Sequence, residues 1–302
     1  MSDFLPITVA IPTYQREQVL LDTLDYLLAL TPRAAEILVL DQSEQHEPTT
    51  GHRLGELNDG GHIRWLRLCT PSIPQAMNRA LLEAKQAIVI YMDDDIRPEP
   101  DLLVAHCIAH AEYVDVLIAG RVIQPWEEGH DFSADETFHF ACTKSFWIEE
   151  FMGGNFSVRR DTALALGGFD ENFVRVAYRF EAEFAHRFRA SGRCIRFEPS
   201  ACLHHLKVSA GGTRTYGEHL TTVKPDHAVG AYYYALRTRN GGRWLREFLV
   251  RPLRAVATRH HLRHPWWIPV TLLAEVRGMI WALTLHWRGP RHLKSNMDVK
   301  HA

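Results

Sequence analysis

Three consecutive aspartates, Asp93, Asp94 and Asp95, directly follow the apolar segment AIVIYM. Like charges this close repel one another, and the repulsion grows where water is scarce, so a positive charge is expected to offset it. Because side chains alternate along an extended segment, Asp93 and Asp95 can face the same side. Two carboxylates there suit a hard divalent cation that also takes substrate phosphate oxygens. The alternative is a solvated acidic turn that caps the next helix.

Other common devices for binding phosphate are missing from the sequence. It has neither GxxxxGK[ST] nor a GxGxxG after the first apolar run, which weakens the P-loop, kinase and dinucleotide-binding interpretations. Its five cysteines are scattered, with no CxxC pair. A zinc cage and a disulfide scaffold are therefore not expected, and a cytoplasmic location is predicted.

The elements that would position the aspartates form an alternating pattern. Short apolar runs alternate with helical patterns at 16–30 and 73–84, which predicts an α/β domain with a mostly parallel sheet. Ligands bind such sheets outside the carboxyl ends of the strands. Asp41 follows the second run and is therefore expected on the same rim as the Asp93 cluster. The predicted strands are 7–11, 36–40, 62–68, 87–92 and 115–122.

The alternating pattern ends at residue 122. The next segment, 124–140, is predicted to be a loop, and 153–173 places a short helix between two glycine pairs. An amphipathic helix at 180–192 ends at Gly192, and a strand follows at 194–199.

Six short motifs occur in the order and spacing seen in the family-2 glycosyltransferases, and the chain resembles that family across roughly residues 7 to 206. Each motif alone is weak, but their shared order is specific. The motifs are VAIPTYQR (9–16), EILVLDQS (36–43), IYMDDD (90–95), GGNFSVRR (153–160), GGFDENF (167–173) and FEAEFAHRFRASG (180–192).

The resemblance implies an α/β fold of the GT-A type, with a mostly parallel sheet flanked by helices. It implies a catalytic domain over 1–214, with a nucleotide-sugar half at about 1–122 and an acceptor half at about 123–214. Residues 215–302 would then form a basic, Trp-rich helical C-terminal region.

The resemblance also implies roles on the donor side. Thr13 and Tyr14 would line the nucleotide, and Asp41 would hydrogen-bond its base. Asp93 and Asp95 would form the DxD pair that holds Mg²⁺ or Mn²⁺ on the donor diphosphate.

Further residues are expected near the donor sugar and the metal. The loop Gly153-Gly154-Asn155 would lie near the donor sugar and the acceptor, where glycine lets the backbone come close. A histidine near the mouth of the site ligates the metal in some GT-A enzymes, and spacing favours His204 over His205. The family often has an arginine where this chain has Met77, so the role of that position is left open.

The catalytic base departs from the family pattern. The family usually has Glu-Asp about seven residues before an arginine, and the aspartate is the base; counting back from Arg187 gives Phe180 and Glu181. Glutamate can perform the same proton transfer, so Glu181 is the predicted base. Glu183 is the rival, and because the two residues point about 200° apart on a helix, only one is expected to face the site.

The implied reaction is a metal-dependent, inverting transfer of a sugar from a nucleotide-sugar to an acceptor hydroxyl. A glycan or a lipid-linked glycan in surface polysaccharide assembly is the expected acceptor; nucleic acid is not an expected partner, and a homo-oligomer is left open. The alternatives are a nucleotidyltransferase, although PTYQR lacks that class's glycine-rich loop, and a catalytically inactive nucleotide-sugar-binding protein.

The C-terminal region carries a different charge from the rest of the chain. From Arg237 onward the sequence has 13 Lys and Arg against 3 Asp and Glu, and residues 244–294 hold five of the eight tryptophans. Glu275 and Arg277 interrupt the longest apolar stretch, so a transmembrane helix is not expected. Helices lying on an anionic membrane surface, on the cytoplasmic face, fit this composition; a packed helical pair is the alternative.

Overall fold

The computed structural model describes residues 3–212, 215, 219–238 and 242–293. Over these residues the chain forms an α/β fold, as predicted, with nine described strands in one mixed sheet ordered β3-β2-β1-β4-β8-β6-β9-β5, and β7 paired to β9. The strands are β1 (Phe4–Thr13), β2 (Arg33–Asp41), β3 (Arg64–Arg67), β4 (Ile88–Met92), β5 (Ile96–Pro98), β6 (Leu117–Ile123), β7 (Phe146–Ile148), β8 (Asn155–Arg159) and β9 (Ile195–His205).

Strands β3, β2, β1 and β4 are parallel, so their carboxyl ends meet at one rim. The antiparallel strand β8 follows β4 in the sheet and places Asn155 opposite Met92, beside that rim. Alternate residues of β1 belong to different cores: Ala10 packs into one and Val9 and Ile11 into the other, so both faces of the sheet are covered.

Ten described helices surround and extend the sheet. They are α1 (Gln18–Ala29), α2 (Pro48–Asp59), α3 (Ile73–Glu83), α4 (Leu102–Glu112), α5 (Arg160–Ala165), α6 (Phe180–Ala190), α7 (Ala228–Thr238), α8 (Arg243–Val256), α9 (Arg259–Arg263) and α10 (Ile268–Arg288).

Strand β9 is longer than predicted and carries a large bulge. Gly120 pairs with Glu198, whereas the next residue of β6, Arg121, pairs with Cys202, so three residues of β9 have no counterpart on β6. A bulge of an odd number of residues reverses which side of the sheet the following residues face. The strand then continues to His205, at the rim.

The C-terminal helices pack against the α/β domain. Tyr232 and Tyr233 of α7 and Leu285 of α10 belong to the same apolar cluster as Phe184 of α6. On α10, Glu275 is buried and accepts a hydrogen bond of 2.5 Å from the Tyr232 hydroxyl. The division of the chain near residue 214 stays a prediction.

One described segment, Pro265–Arg288, is long and apolar enough to cross a membrane by length and composition, with a mean hydropathy of 1.4 over an 18-residue window. A third of that window, 33%, is buried against the rest of the protein. A core helix of a soluble protein has the same properties, so length and composition do not distinguish a membrane-spanning helix from a core helix.

Candidate active site

Two of the three aspartates and a histidine converge at the rim beyond β4. Nε2 of His205 lies 3.1 Å from Oδ1 of Asp95 and 3.9 Å from Oδ2 of Asp93. One ligand atom from each of these residues lies within 4.8 Å of the others. Asp93 is half-exposed and Asp95 is buried, so the group opens to solvent on one side.

The middle aspartate faces the other way, as alternation along the chain predicts. Asp94 accepts hydrogen bonds from the Thr13 hydroxyl at 2.7 Å and from Nε of Arg16 at 3.0 Å. Burial raises the pKa of Asp94 to about 7, although Arg16 and Thr13 oppose that shift. Burial also acts to raise the pKa of Asp95, but the hydrogen bond and charge of His205, together with Arg16, hold it below its ordinary value. Arg16 and His205 therefore offset part of the repulsion among the three aspartates.

The structure places His205, and not the expected His204, beside the aspartates. His204 points away from the aspartates, with Nε2 2.7 Å from Glu99 Oε1 and Nδ1 3.1 Å from Glu128 Oε1. The adjacent residue, His205, faces the rim instead. The bulge in β9 sets this orientation, and sequence spacing could not show it.

The residues present fit a divalent cation of the Mn²⁺ or Mg²⁺ kind. Two carboxylates supply the oxygen ligands that both ions prefer, and Asp93 leaves an open side for water or phosphate oxygens.

A pocket of about 180 Å³ lies next to these ligands. Thr13 and Tyr14 line it, where the resemblance placed them; so do Gln42 and Arg175, which the sequence did not point to. Met77, whose role was open, also lines the pocket. Arg175 brings a positive charge to this pocket, in which Met77 stands where the family often has an arginine.

Asp41 does not line the pocket. It is fully buried, and its carboxylate accepts hydrogen bonds from the Ser43 amide, from Nε1 of Trp65 at 2.8 Å and from the ring of His46 at 2.8 Å. Gln42, the next residue, faces the pocket instead, because side chains alternate at the strand end.

Two glycines separate the metal ligands from the predicted base. A Cβ on Gly154 would overlap the Asp93 carboxylate, and a Cβ on Gly153 would lie 2.8 Å from Oε1 of Glu181. A side chain at either position would push against these carboxylates, so glycine allows their close approach. Gly154 thus adjoins Asp93, and Gly153 adjoins Glu181.

Asn155 has a different position from the one expected. It is fully buried; its amide nitrogen donates to the carbonyl oxygens of Arg121 at 3.0 Å and Ala201 at 2.9 Å, and its oxygen lies 3.0 Å from Nε2 of His106. These carbonyls flank the bulge between β6 and β9, where the regular strand pairing is interrupted. Asn155 therefore supports the bulge that orients His205 and does not line the pocket.

The two glutamates of α6 lie in contrasting surroundings. Burial, with a further contribution from the charge of Asp93, raises the pKa of Glu181 to about 7, against opposing contributions that include the nearby Arg179. Glu183 is buried and forms a two-oxygen ion pair with Nε of Arg187 at 2.8 and 3.0 Å. Only Glu181 adjoins the glycine pair, so the expected separation of the two residues is found.

Comparisons with known proteins agree with this architecture. The model of Glycosyl transferase family 2 matches residues 8–180. No curated protein matches the sequence significantly.

Solved structures share the GT-A fold at low sequence identity. TarS 1–349 from S. aureus, in complex with UDP-GlcNAc, superposes with a TM-score of 0.59 at 13% identity, covering 94% of this chain and 92% of that chain. The mannosyltransferase PcManGT from Pyrobaculum calidifontis, in complex with GDP-Man and Mn²⁺, superposes with a TM-score of 0.54 at 17% identity, covering 94% of this chain and 79% of that chain. GalNAc-T7 with UDP, GalNAc and Mn²⁺ superposes with a TM-score of 0.56 at 16% identity. That match covers 76% of this chain and 50% of that chain, so this chain spans half the length of that protein.

Proposed function

The chain belongs to glycosyl transferase family 2, and we propose from this premise that it transfers a sugar from a nucleotide-sugar to an acceptor hydroxyl with inversion at the anomeric carbon. The arrangement of Asp93, the glycine pair and Glu181 carries the proposal. A donor held at Asp93 would present its sugar over Gly153 and Gly154, with Glu181 beside it. A single displacement needs this arrangement of leaving group, sugar and base.

The reaction follows from the roles of these side chains. Glu181 accepts the proton of the acceptor hydroxyl while the acceptor oxygen forms a bond to the anomeric carbon and the bond to the diphosphate oxygen breaks. A base with a pKa of about 7 matches a neutral working pH. Arg175 lies where its charge can face the diphosphate.

A divalent cation would be held by Asp93, Asp95 and His205. When bound, it supplies positive charge to the leaving nucleoside diphosphate. Mn²⁺ is the favoured ion, since the ligand set includes an imidazole, and two of the structural neighbours contain Mn²⁺.

The test is donor turnover by the full chain. A panel of UDP- and GDP-sugars is incubated with Mn²⁺, with Mg²⁺ and with excess chelator, and release of nucleoside diphosphate is followed. We expect release with at least one donor, faster with Mn²⁺ and lost with chelator. Formation of sugar 1-phosphate and a nucleoside triphosphate when pyrophosphate is added would indicate a nucleotidyltransferase instead, and binding without turnover of any donor would indicate an inactive binding protein.

The acceptor and the location belong to the same proposal. Exposed apolar side chains form a stripe on α8, at Leu245, Leu249 and Leu253, and exposed Ile280 and Trp287 lie on α10. This region has 13 basic and 3 acidic residues from position 237 onward, and basic and apolar groups together suit an anionic membrane surface. We place the protein on the cytoplasmic face of the membrane, acting on a lipid-linked glycan in surface polysaccharide assembly.

A further inference from the structure

The imidazole of His205 is held between the aspartates and a glutamine that follows β6. Its Nε2 lies 3.1 Å from Oδ1 of Asp95, and its Nδ1 lies 3.1 Å from Oε1 of Gln124. The His205 side chain is only 19% exposed, so both ring nitrogens meet protein groups and not bulk water. Gln124 thus contacts the ring nitrogen that does not face the proposed metal ligands.

The bulge in β9 brings this glutamine and histidine together. Beyond the bulge, Ile123, the last residue of β6, pairs with His204, so Gln124 comes beside His205. If the regular pairing before the bulge continued, position 124 would come opposite Cys202. The extra residues of β9 therefore create the contact between the two side chains.

Two further contacts join the segment after β6 to the end of β9. Oε1 of Glu128 lies 3.1 Å from Nδ1 of His204. The ammonium group of Lys207 lies 3.8 Å from the centroid of the Trp126 ring, within the range of a cation–π contact. The backbone is thereby tied to this segment on both sides of the metal-facing histidine, which keeps Gln124 within reach of the ring.

The Gln124 contact determines which ring nitrogen carries the proton. The oxygen of an amide accepts hydrogen bonds and has no proton to donate, so Nδ1 of His205 donates to Oε1 of Gln124. A neutral imidazole protonated at Nδ1 has its lone pair on Nε2, the nitrogen that faces Asp95. Imidazole binds a metal through an unprotonated nitrogen, and a hydrogen bond at the other nitrogen fixes the tautomer and the ring orientation.

Asp95 alone favours the opposite tautomer. Its carboxylate is an acceptor 3.1 Å from Nε2 of His205, so it stabilises a proton on that nitrogen. A neutral ring protonated at Nε2 has no lone pair on the side of the aspartates. The acceptor of Gln124 offsets this preference at Nδ1, and it does so without adding a charge to the site.

We propose that Gln124 is a positioning residue for the cation site, which holds the His205 imidazole in the tautomer and orientation that bind a divalent metal through Nε2. Gln124 acts through the ring and supplies no ligand atom of its own. The inference rests on the proposed function, because it concerns the cation that would hold the donor diphosphate in that reaction.

The experiment is titration of the full-length protein with Mn²⁺ alone, in which unbound Mn²⁺ is followed by its electron paramagnetic resonance signal. Gln124→Met keeps the side-chain length and removes the acceptor, so we expect the Mn²⁺ affinity to fall about 10- to 100-fold. Gln124→Glu keeps an acceptor and should retain or exceed wild-type affinity. Gln86→Met is the matched control, because Gln86 is also half-buried but lies at the other end of the sheet, where β4 begins.

A variant of the histidine tests whether Gln124 acts through the ring. His205→Ala should weaken Mn²⁺ binding, and adding Gln124→Met to it should cause no further loss. A merely structural role of Gln124 would lower the affinity in both backgrounds. Wild-type affinity in Gln124→Met, or an equal loss in Gln124→Glu, would overturn the inference.

Failure of this inference is distinguishable from failure of the proposed function. Absence of Mn²⁺ binding by wild type would remove the cation site from the proposed function, and the inference with it. Wild-type binding that Gln124→Met leaves unchanged would overturn the inference alone. Donor turnover by wild type is measured separately and tests the transferase activity.

Discussion

The aspartate rim beyond β4 and the cavity between α6, α7 and α8 are built in different ways. The rim uses residues at strand ends, where Asp93 and Asp95 lie two positions apart and His205 ends β9. The cavity is assembled from three helices that are distant in the chain, α6, α7 and α8. The rim is fixed by the sheet that every member of the fold needs, whereas the cavity depends on helix packing.

The largest effect is expected at the rim. Asp93→Asn removes one ligand charge from a half-exposed position, and we expect at least a ~100-fold loss of Mn²⁺-stimulated turnover. Asp94→Asn is the matched control: it removes a charge from the adjacent residue, which faces Thr13 and Arg16. Turnover as a function of Mn²⁺ concentration is the measurement. Equal losses in the two variants would place the metal elsewhere or exclude the DxD role.

The base should show a large effect of another kind. Glu181→Gln keeps the side-chain size and removes proton acceptance, so turnover should fall about 10²–10⁴-fold with donor affinity nearly unchanged. Glu183→Gln should affect turnover much less but lower the melting temperature, because it weakens the buried ion pair with Arg187. Exchange of the two outcomes would assign the base to Glu183.

The pH dependence of turnover and of stability should further distinguish the role of Glu181 from that of Asp93. Glu181 accepts a proton only when ionised, so turnover should rise with pH, be half-maximal near pH 7 and level off above it; a bound cation would shift this rise to lower pH by neutralising Asp93. The raised pKa also predicts a stability effect. Below the ordinary pKa of 4.5 the residue is protonated in folded and unfolded chains alike, whereas above pH 7 the folded state bears the full cost of the buried charge.

Glu181→Gln should therefore be more stable than wild type at pH 8, with a difference that shrinks toward pH 5. Melting temperatures of both proteins across this range test the point. A difference that stays constant with pH would show that Glu181 is not buried at a cost in the folded protein.

The smallest effect on donor turnover is expected at the exposed stripe of α8. Leu249→Glu with Leu253→Glu should reduce binding to anionic vesicles about 10-fold or more, because two apolar contacts are lost and two negative charges are added. Turnover of donor in solution should change little. Ile108→Glu with Val114→Glu is the control, since these residues are exposed outside the C-terminal helices. Equal co-sedimentation of both double variants would argue for a packing role of the region.

Sequence reasoning predicted the aspartate rim better than the helices that flank the sheet. Strand β4 and its aspartates were found because a buried apolar run ends in charge, a local signal. Helix α4 was missed because LLVAHCIAHAE is apolar on nearly every side and shows no helical period. Helix α2 was missed because PTTGHRLGELND has two glycines and few apolar residues.

Two site residues lie elsewhere than expected. His204 was preferred to His205, and Asn155 was expected near the donor sugar, from the motif spacing of the family that the chain resembles, which carries no information on strand pairing. The bulge between β6 and β9 interrupts the regular pairing there, and Asn155 donates to the Ala201 carbonyl within it. Arg175 and the cavity between α6, α7 and α8 were not predicted because they depend on tertiary packing, for which adjacent positions give no signal.

The central claim is that donor binding and proton abstraction reside on opposite sides of the glycine pair. It is tested most directly by titrating wild type, Asp93→Asn and Glu181→Gln with UDP and GDP in the presence of Mn²⁺, while donor turnover is measured on the same preparations. We predict that Asp93→Asn loses both nucleotide affinity and turnover, whereas Glu181→Gln binds nucleotide like wild type and loses turnover alone. Wild-type turnover in Glu181→Gln, or wild-type Mn²⁺-dependent affinity in Asp93→Asn, would contradict the account.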